Sequence, residues 1–440
     1  MINKKKKMEN KALASLEIAI VFCLLFLVAL PCIAVASEDE TLDIYGNANE
    51  DDIIDMRDLT FTARMILRLE DETELADANY DGRISVADMT QIGLIILGRE
   101  SKLTLVDSVD RIVTVNKPVE RIVTHLHIIP EAIKIVGAED RVVGRQAGID
   151  EILFPTMSKL PVTSGITSSM GWDIYYEEVF ELDPDIFITA YHPAPGFEDV
   201  VVATLEPDIP VVCLNFGDPA TMVEDIRKLR YVLNTEEKGE EFIAFYEGVV
   251  NDITEKTAGL SEDDKPRVFM KTPGWTPEQL CTYNNEMPIA IYLFPITGAI
   301  NVAGDWPGPP GGWIPDVDPE MVIDANPDTV VAQIWPVFYP SPFGYGIDDA
   351  SVAKETRDQI MAMDAFAGGD AVLNDRVYLY HCDFMTTPRC VVGIAYWAKW
   401  FHPTLFSDLD PQDIHQQYLS DFLDIDYDLD EHGVFVYPEP

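Results

Sequence analysis

Residues 77–88 read DANYDGRISVAD, which sets Asp77, Asn79, Asp81, Gly82 and Asp88 at positions 1, 3, 5, 6 and 12 of a twelve-residue loop. In such a loop, oxygen donors on alternate residues converge on one point. The Arg83 carbonyl supplies position 7, and Gly82 permits the sharp bend. A donor set made only of oxygens suits a hard cation, calcium above all. Thirty residues upstream, NANEDDIIDMRD (47–58) places Asn47, Asn49, Asp51 and Asp58 in the same positions, with the Ile53 carbonyl at position 7. This first loop departs from the pattern twice: Asn47 stands where Asp is usual, and Asp52 where Gly is. Each loop runs into a helical apolar pattern, LTFTARMIL or MTQIGLIIL, so the unit is a loop and one helix, repeated.

The duplicated unit, with Asp rather than Glu at position 12, resembles a dockerin module over about residues 42–100. That resemblance implies a small all-α, calcium-ordered domain and a protein partner, a cohesin-like domain. Ahead of it, KKKK and an apolar run from Ile18 to Ala36 ending in AVA compose an export signal over residues 1–36. The run is also long enough to span a bilayer, so a cleaved leader and a retained anchor both stay open. Cys32 follows Pro31 rather than a small residue, which makes lipidation the weaker idea. The expected location is extracellular or at the cell surface.

The formal charge is −45, and no basic face exists to displace counterions from phosphate, which argues against a nucleic-acid partner. Export permits disulfides among Cys213, Cys281, Cys382 and Cys390, in any of three pairings. A nucleophile elbow, a P-loop and an H-E-x-x-H are all absent, so catalysis is not expected.

From Leu103 onward, short apolar runs alternate with helical stretches. RIVTVN, RIVTHLH, RVVGR, DIFITA and VVCLNF read as strands, PEAIKIVGA and EEVFEL as helices, giving an α/β lobe over 103–218 with a largely parallel sheet. A polar helical region follows over 219–259, with breaks near Asn234. A second α/β lobe, 265–406, carries RVFMK, DTVVAQI and RVYLYH. Residues 407–440 read as an acidic helix and extended tail expected to pack on the second lobe. EEVFELDPDIFITA from Glu177 and EMVIDANPDTVVAQ from Glu320 echo one another: a Glu opens a short helix, Pro-Asp ends it, and a buried strand follows.

With ERIVTHLHIIPEAIKIVGAEDRVVG (120–144) and WIPDVDPEMVIDANPD (313–328), these segments resemble the substrate-binding proteins of metal-chelate ABC importers, which take ferric siderophores, haem or vitamin B12; the last looks especially like the cobalamin-binding branch. The resemblance implies two Rossmann-like lobes joined by a long bridging helix, the class III periplasmic-binding-protein architecture. It also implies that Glu177 and Glu320 sit on exposed lobe tips and pair with arginines of a membrane permease.

A cleft for a large, flat chelate wants aromatic walls and a few polar contacts, at the carboxyl ends of the strands. Candidates there are His127, Trp172, Tyr191, His192, Trp275, Trp306, Trp313, Trp335 and His381. Arg389 in TTPRC fits either a ligand carboxylate or a structural ion pair. His125 and His127 flank Leu126 and are expected on one face; with His192 and His381 they offer an alternative, a site for a bare metal ion. A surface scaffold with a filled cleft is a further alternative.

Overall fold

The computed structural model describes residues 41–166, 172–190, 197–206, 208–274, 276, 279–335 and 342–440. The leader, Tyr191, His192 and Trp275 lie outside the described residues. Among the described residues no helix is long and apolar enough to cross a membrane. The chain divides into two compact units, Met1–Pro118 and Val119–Pro440.

In the first unit the repeat is visible as two eleven-residue helices, Met56–Ile66 and Val86–Ile96. Each starts at a capping box, Asp55 with Asp58 and Ser85 with Asp88, in which the two side chains satisfy amides that the first helical turn leaves without partners. Met65, Ile92 and Ile95 are buried in this unit, and at Gly46, whose φ is +124, a Cβ would lie 3.0 Å from the Ile95 side chain. Strands β1 (Lys102–Val106) and β2 (Ile112–Asn116) pair antiparallel, and Ile44 bridges to Leu105. RIVTVN therefore belongs here rather than in the first lobe. Its burial alternates residue by residue, as suits a ribbon with one wet face, and Asp107 closes the turn by accepting from the Val109 and Arg111 amides and the Arg111 guanidinium.

In the second unit, β3 (Ile122–Thr124), β4 (Val142–Gln146), β5 (Val162–Ile166), β6 (Trp172–Ile174), β7 (Ile186–Thr189) and β8 (Val211–Cys213) form a sheet of order β6-β5-β4-β3-β7-β8. All neighbours are parallel except β5 and β6. Val123, Val179, Phe187, Val201 and Val211 make its core. The polar region is two helices, Met222–Leu233 and the 22-residue Glu236–Thr257, separated at Asn234, whose left-handed φ of 52 ends the first. The longer one spans roughly 33 Å at 1.5 Å per residue.

The second lobe contributes β9 (Arg267–Lys271), a ribbon of β10 (Thr282–Tyr283) with β12 (Trp313–Ile314), and β11 (Ile300–Asn301), β13 (Thr329–Ile334), β14 (Val377–His381) and β15 (Val436–Tyr437). The five-stranded sheet runs β11-β9-β13-β14-β15, and β15, from the tail, closes the β14 edge antiparallel. Both sheets are thus mixed, each with one antiparallel edge strand. Covering an edge in this way removes a row of unpaired backbone groups. Cys213, Cys281, Cys382 and Cys390 are free, buried thiols.

Eleven of the twelve residues of helix Cys390–Phe401 are buried. Gly393 lets it pass so close to the Phe384 carbonyl that a Cβ would lie 2.1 Å from that oxygen. Glycine to alanine inside a helix ordinarily adds stability. Here the contact dominates, and Gly393→Ala is expected to cost about 1–3 kcal/mol in urea unfolding, the scale of an overpacked core.

Candidate functional site

The carboxyl ends of β3 and β14 carry the chemistry. After β3, Leu126 adopts a left-handed φ of 70, which breaks the strand alternation. His125 and His127 therefore do not share a face. His125 is fully buried, its Nδ1 2.8 Å from Thr189 Oγ1 and its ring stacked on Phe187. His127 stays partly exposed at the start of helix Ile128–Ile135. At the end of β14, the Asp383 amide donates to Nδ1 of His381 at 3.2 Å, and Asp383 Oδ2 lies 3.7 Å from the same nitrogen. Ligand atoms of His381, Cys382 and Asp383 fall within 4.8 Å of one another.

Burial lowers the pKa of His381 and so favours its neutral, ligating form. Burial works against ionisation of Asp383, but His381, Arg389 and His127 outweigh it and hold the carboxyl well below its ordinary value. The Cys382 thiol is pushed well up, first by burial and then by Asp383, which leaves it a poor thiolate donor. The usable donors of this cluster are one imidazole and a carboxylate.

Arg389 is buried and committed to protein groups rather than open to a ligand. Its Nε donates to Glu131 Oε1 at 2.8 Å and its Nη2 to Glu131 Oε2 at 3.2 Å. The same Nη2 reaches Asp383 Oδ2 at 2.8 Å, and Nη1 the Tyr345 hydroxyl at 3.3 Å. Glu131 also accepts from the Tyr418 hydroxyl, and Tyr345 is 2.9 Å from His415 Nε2. Glu131, Arg389, Tyr418 and His415 are all buried. Glu131 belongs to the first lobe, Arg389 to the second and Tyr418 to the tail, so one polar node joins all three. Spacing did not reveal it, although a single acid inside the apolar helix IIPEAIKI was a signal for a buried partner.

The aromatic candidates separate. Trp306 packs on the second-lobe core, 6.0 Å from Phe269 between ring centroids. Trp313 is partly buried, and its Nε1 donates to Thr272 Oγ1 at 3.3 Å. Trp335 is partly buried at the end of β13. The backbone of Trp172 lies in β6, opposite Ile166, with its side chain outside the described residues, as are Tyr191, His192 and Trp275. Glu177 and Glu320 are both exposed, in the first turns of helices Tyr176–Glu181 and Pro319–Ala325, and neither forms an ion pair among the described residues.

Comparison with known proteins supplies the family. A periplasmic binding protein family model matches residues 126–383. An ABC transporter substrate-binding lipoprotein of Bacillus subtilis is 23% identical over 313 residues, 70% of this chain and 87% of its own. Among solved structures, the TroA-like periplasmic binding protein FepB of Veillonella parvula has a TM-score of 0.61 at 21% identity, covering 76% of this chain and 98% of its own. Molybdate-bound MolA of Haemophilus influenzae has 0.57 at 18%, covering 74% and 99%. CeuE of Helicobacter pylori in a nickel–histidine complex has 0.55 at 18%, covering 74% and 96%. At these identities the structures speak for the fold.

Removing one partner of a buried pair leaves an uncompensated charge, so Glu131→Ala is expected to cost about 3–5 kcal/mol in urea unfolding. Burial, with Arg389 and His381, holds the His415 pKa well below its ordinary value. The unfolded chain therefore takes up a proton near pH 6.5 that the folded chain refuses, and stability falls as pH drops below about 6.5. The slope from His415 is at most about 1.4 kcal/mol per pH unit. His415→Gln, which cannot titrate, should flatten that slope in melts at pH 7.5, 6.5 and 5.5.

Proposed function

The chain belongs to the periplasmic binding protein family, and from that premise we propose that it is the exported solute receptor of an ABC importer, capturing a metal chelate and delivering it to a membrane permease. The observation that carries the reading is the pair Glu177 and Glu320. Both are exposed and, among the described residues, without an ion pair, in the first turns of short helices that precede β7 and β13, so each lobe offers a carboxylate to a basic partner. His381 and Asp383, whose ligand atoms lie together, are the ligand contacts this reading favours, with His127, Trp313 and Trp335 as further candidates. The cluster at the end of β14 also supports a second reading, a receptor for a bare metal ion.

Titration with a ferric siderophore, haem and a corrinoid, followed by absorbance, and with Ni2+ and Zn2+, followed by calorimetry, separates the two. A visible shift with one chelate and weak heats with the ions supports chelate capture; no response to any of the five refutes both. With the ligand in hand, Glu177→Arg combined with Glu320→Arg is expected to abolish uptake while ligand affinity changes less than twofold.

For the first unit we propose a dockerin-like calcium module that binds a cohesin-like domain. The side chains suit a hard cation. Asp58 and Asp88 are fully buried at position 12, their oxygens held by backbone amides of Asn49, Asp55, Asn79 and Ser85. Burial raises the Asp58 pKa to about 7, the mark of a carboxylate whose charge is poorly compensated. Asn47 Oδ1 is buried without a hydrogen-bond partner among the described residues. The first loop is the weaker of the two, because the Arg57 guanidinium sits 2.8 Å from Asp51 and competes for it. Calcium should raise the melting temperature of the first unit and EGTA reverse the rise, with Asp88→Ala removing more of the effect than Asp58→Ala.

A further inference from the structure

Beside Glu320 the second lobe has a cavity of about 170 Å3, between helix Pro319–Ala325 and residues 365–371. Val322, Ala365, Phe366 and Ala371 form its floor, and all four are part of the buried core of the lobe. Ile323, three residues after Glu320 and on the same helix face, stands at its rim with 53% of its surface exposed. The walls are clamped: Asn326 Nδ2 donates to Asp370 Oδ2 at 2.7 Å, and the Asp370 amide donates back to Asn326 Oδ1 at 3.1 Å. A socket near 150 Å3 lined by apolar side chains is large enough for a benzene-sized group.

We propose that this socket receives one large apolar side chain, leucine, methionine or phenylalanine, from the membrane partner whose basic residue pairs with Glu320. The inference rests on the docking reading of Glu177 and Glu320. The occupant is argued from charge and position. Helix Pro319–Ala325, which supplies Val322 and Ile323 to the socket, also carries the exposed Glu320 and Asp324, and the exposed Asp370 holds Asn326 of the wall, so the complementary surface is basic beside an apolar knob. At the first-lobe tip the residue three after Glu177 is Phe180, 41% exposed, a projecting group rather than a rim. The two tips thus differ in shape as well as sharing a carboxylate, and that difference fixes which lobe meets which half of the permease.

The test measures binding of the full chain to its permease reconstituted in lipid nanodiscs. Ala367, exposed on the opposite rim, is changed to Phe to fill the socket from outside, and Ile323→Ser strips the near rim. Each should weaken binding about tenfold or more, the worth of one buried aliphatic side chain, with ligand affinity and melting temperature unchanged. Glu177→Arg with Glu320→Arg is the control on the underlying reading. If charge reversal abolishes binding while Ala367→Phe and Ile323→Ser leave it intact, the socket inference is overturned and docking stands. If charge reversal has no effect, docking through these tips is itself wrong.

Discussion

The buried pair between Glu131 and Arg389 is the constraint on which the second unit turns. Taking both charges out of water costs several kcal/mol each, and the pair recovers that only through near-ideal geometry and full hydrogen bonding. Both conditions hold: the carboxylate meets two guanidinium nitrogens and the Tyr418 hydroxyl, and the guanidinium meets Glu131, Asp383 and Tyr345. Because Glu131 lies on the helix that leaves β3 and Arg389 follows β14, the pair sets the distance between the two strand ends that bear His127 and His381. A hydrophobic replacement could match it in stability, but would not define one position for those ends.

The tail is part of this constraint rather than an appendage. Its strand β15 pairs with β14, and its helix and the turn after it carry His415 and Tyr418 into the node. Tyr345, Phe384 and Phe435 surround His415 edge-on, with ring centroids 4.8–5.9 Å away, so the imidazole is held neutral by a cage with little solvent. Expecting the tail to pack on the second lobe captured its strand but not Tyr418, since a lone tyrosine in an acidic helix gives no sign of a carboxylate 287 residues away.

The same contrast runs through the whole chain. Features that depend on local periodicity were legible: the loop and helix repeat, the break at Asn234, the buried strands β7, β13 and β14, and the exposed helix-opening glutamates. Features that depend on a partner distant in sequence were not. RIVTVN alternates in burial, a half-wet ribbon pattern, yet a strand pattern alone does not say which sheet the strand joins, and chain order places it in the lobe with its neighbours. His125 and His127 looked equivalent because strand alternation was extended through Leu126, whose left-handed backbone ends it. Arg389 could not be divided between ligand and protein roles without its acids, and those lie 258 residues before it and six before it.

Committing Arg389 to the protein also sets the electrostatics at the carboxyl end of β14. One cation is shared by Glu131 and Asp383, while burial keeps His381 neutral. The local balance is therefore one net negative charge, and Asp150 acts on His381 in the same sense as Asp383 does. A site of that sign repels an unpaired anion and attracts positive charge.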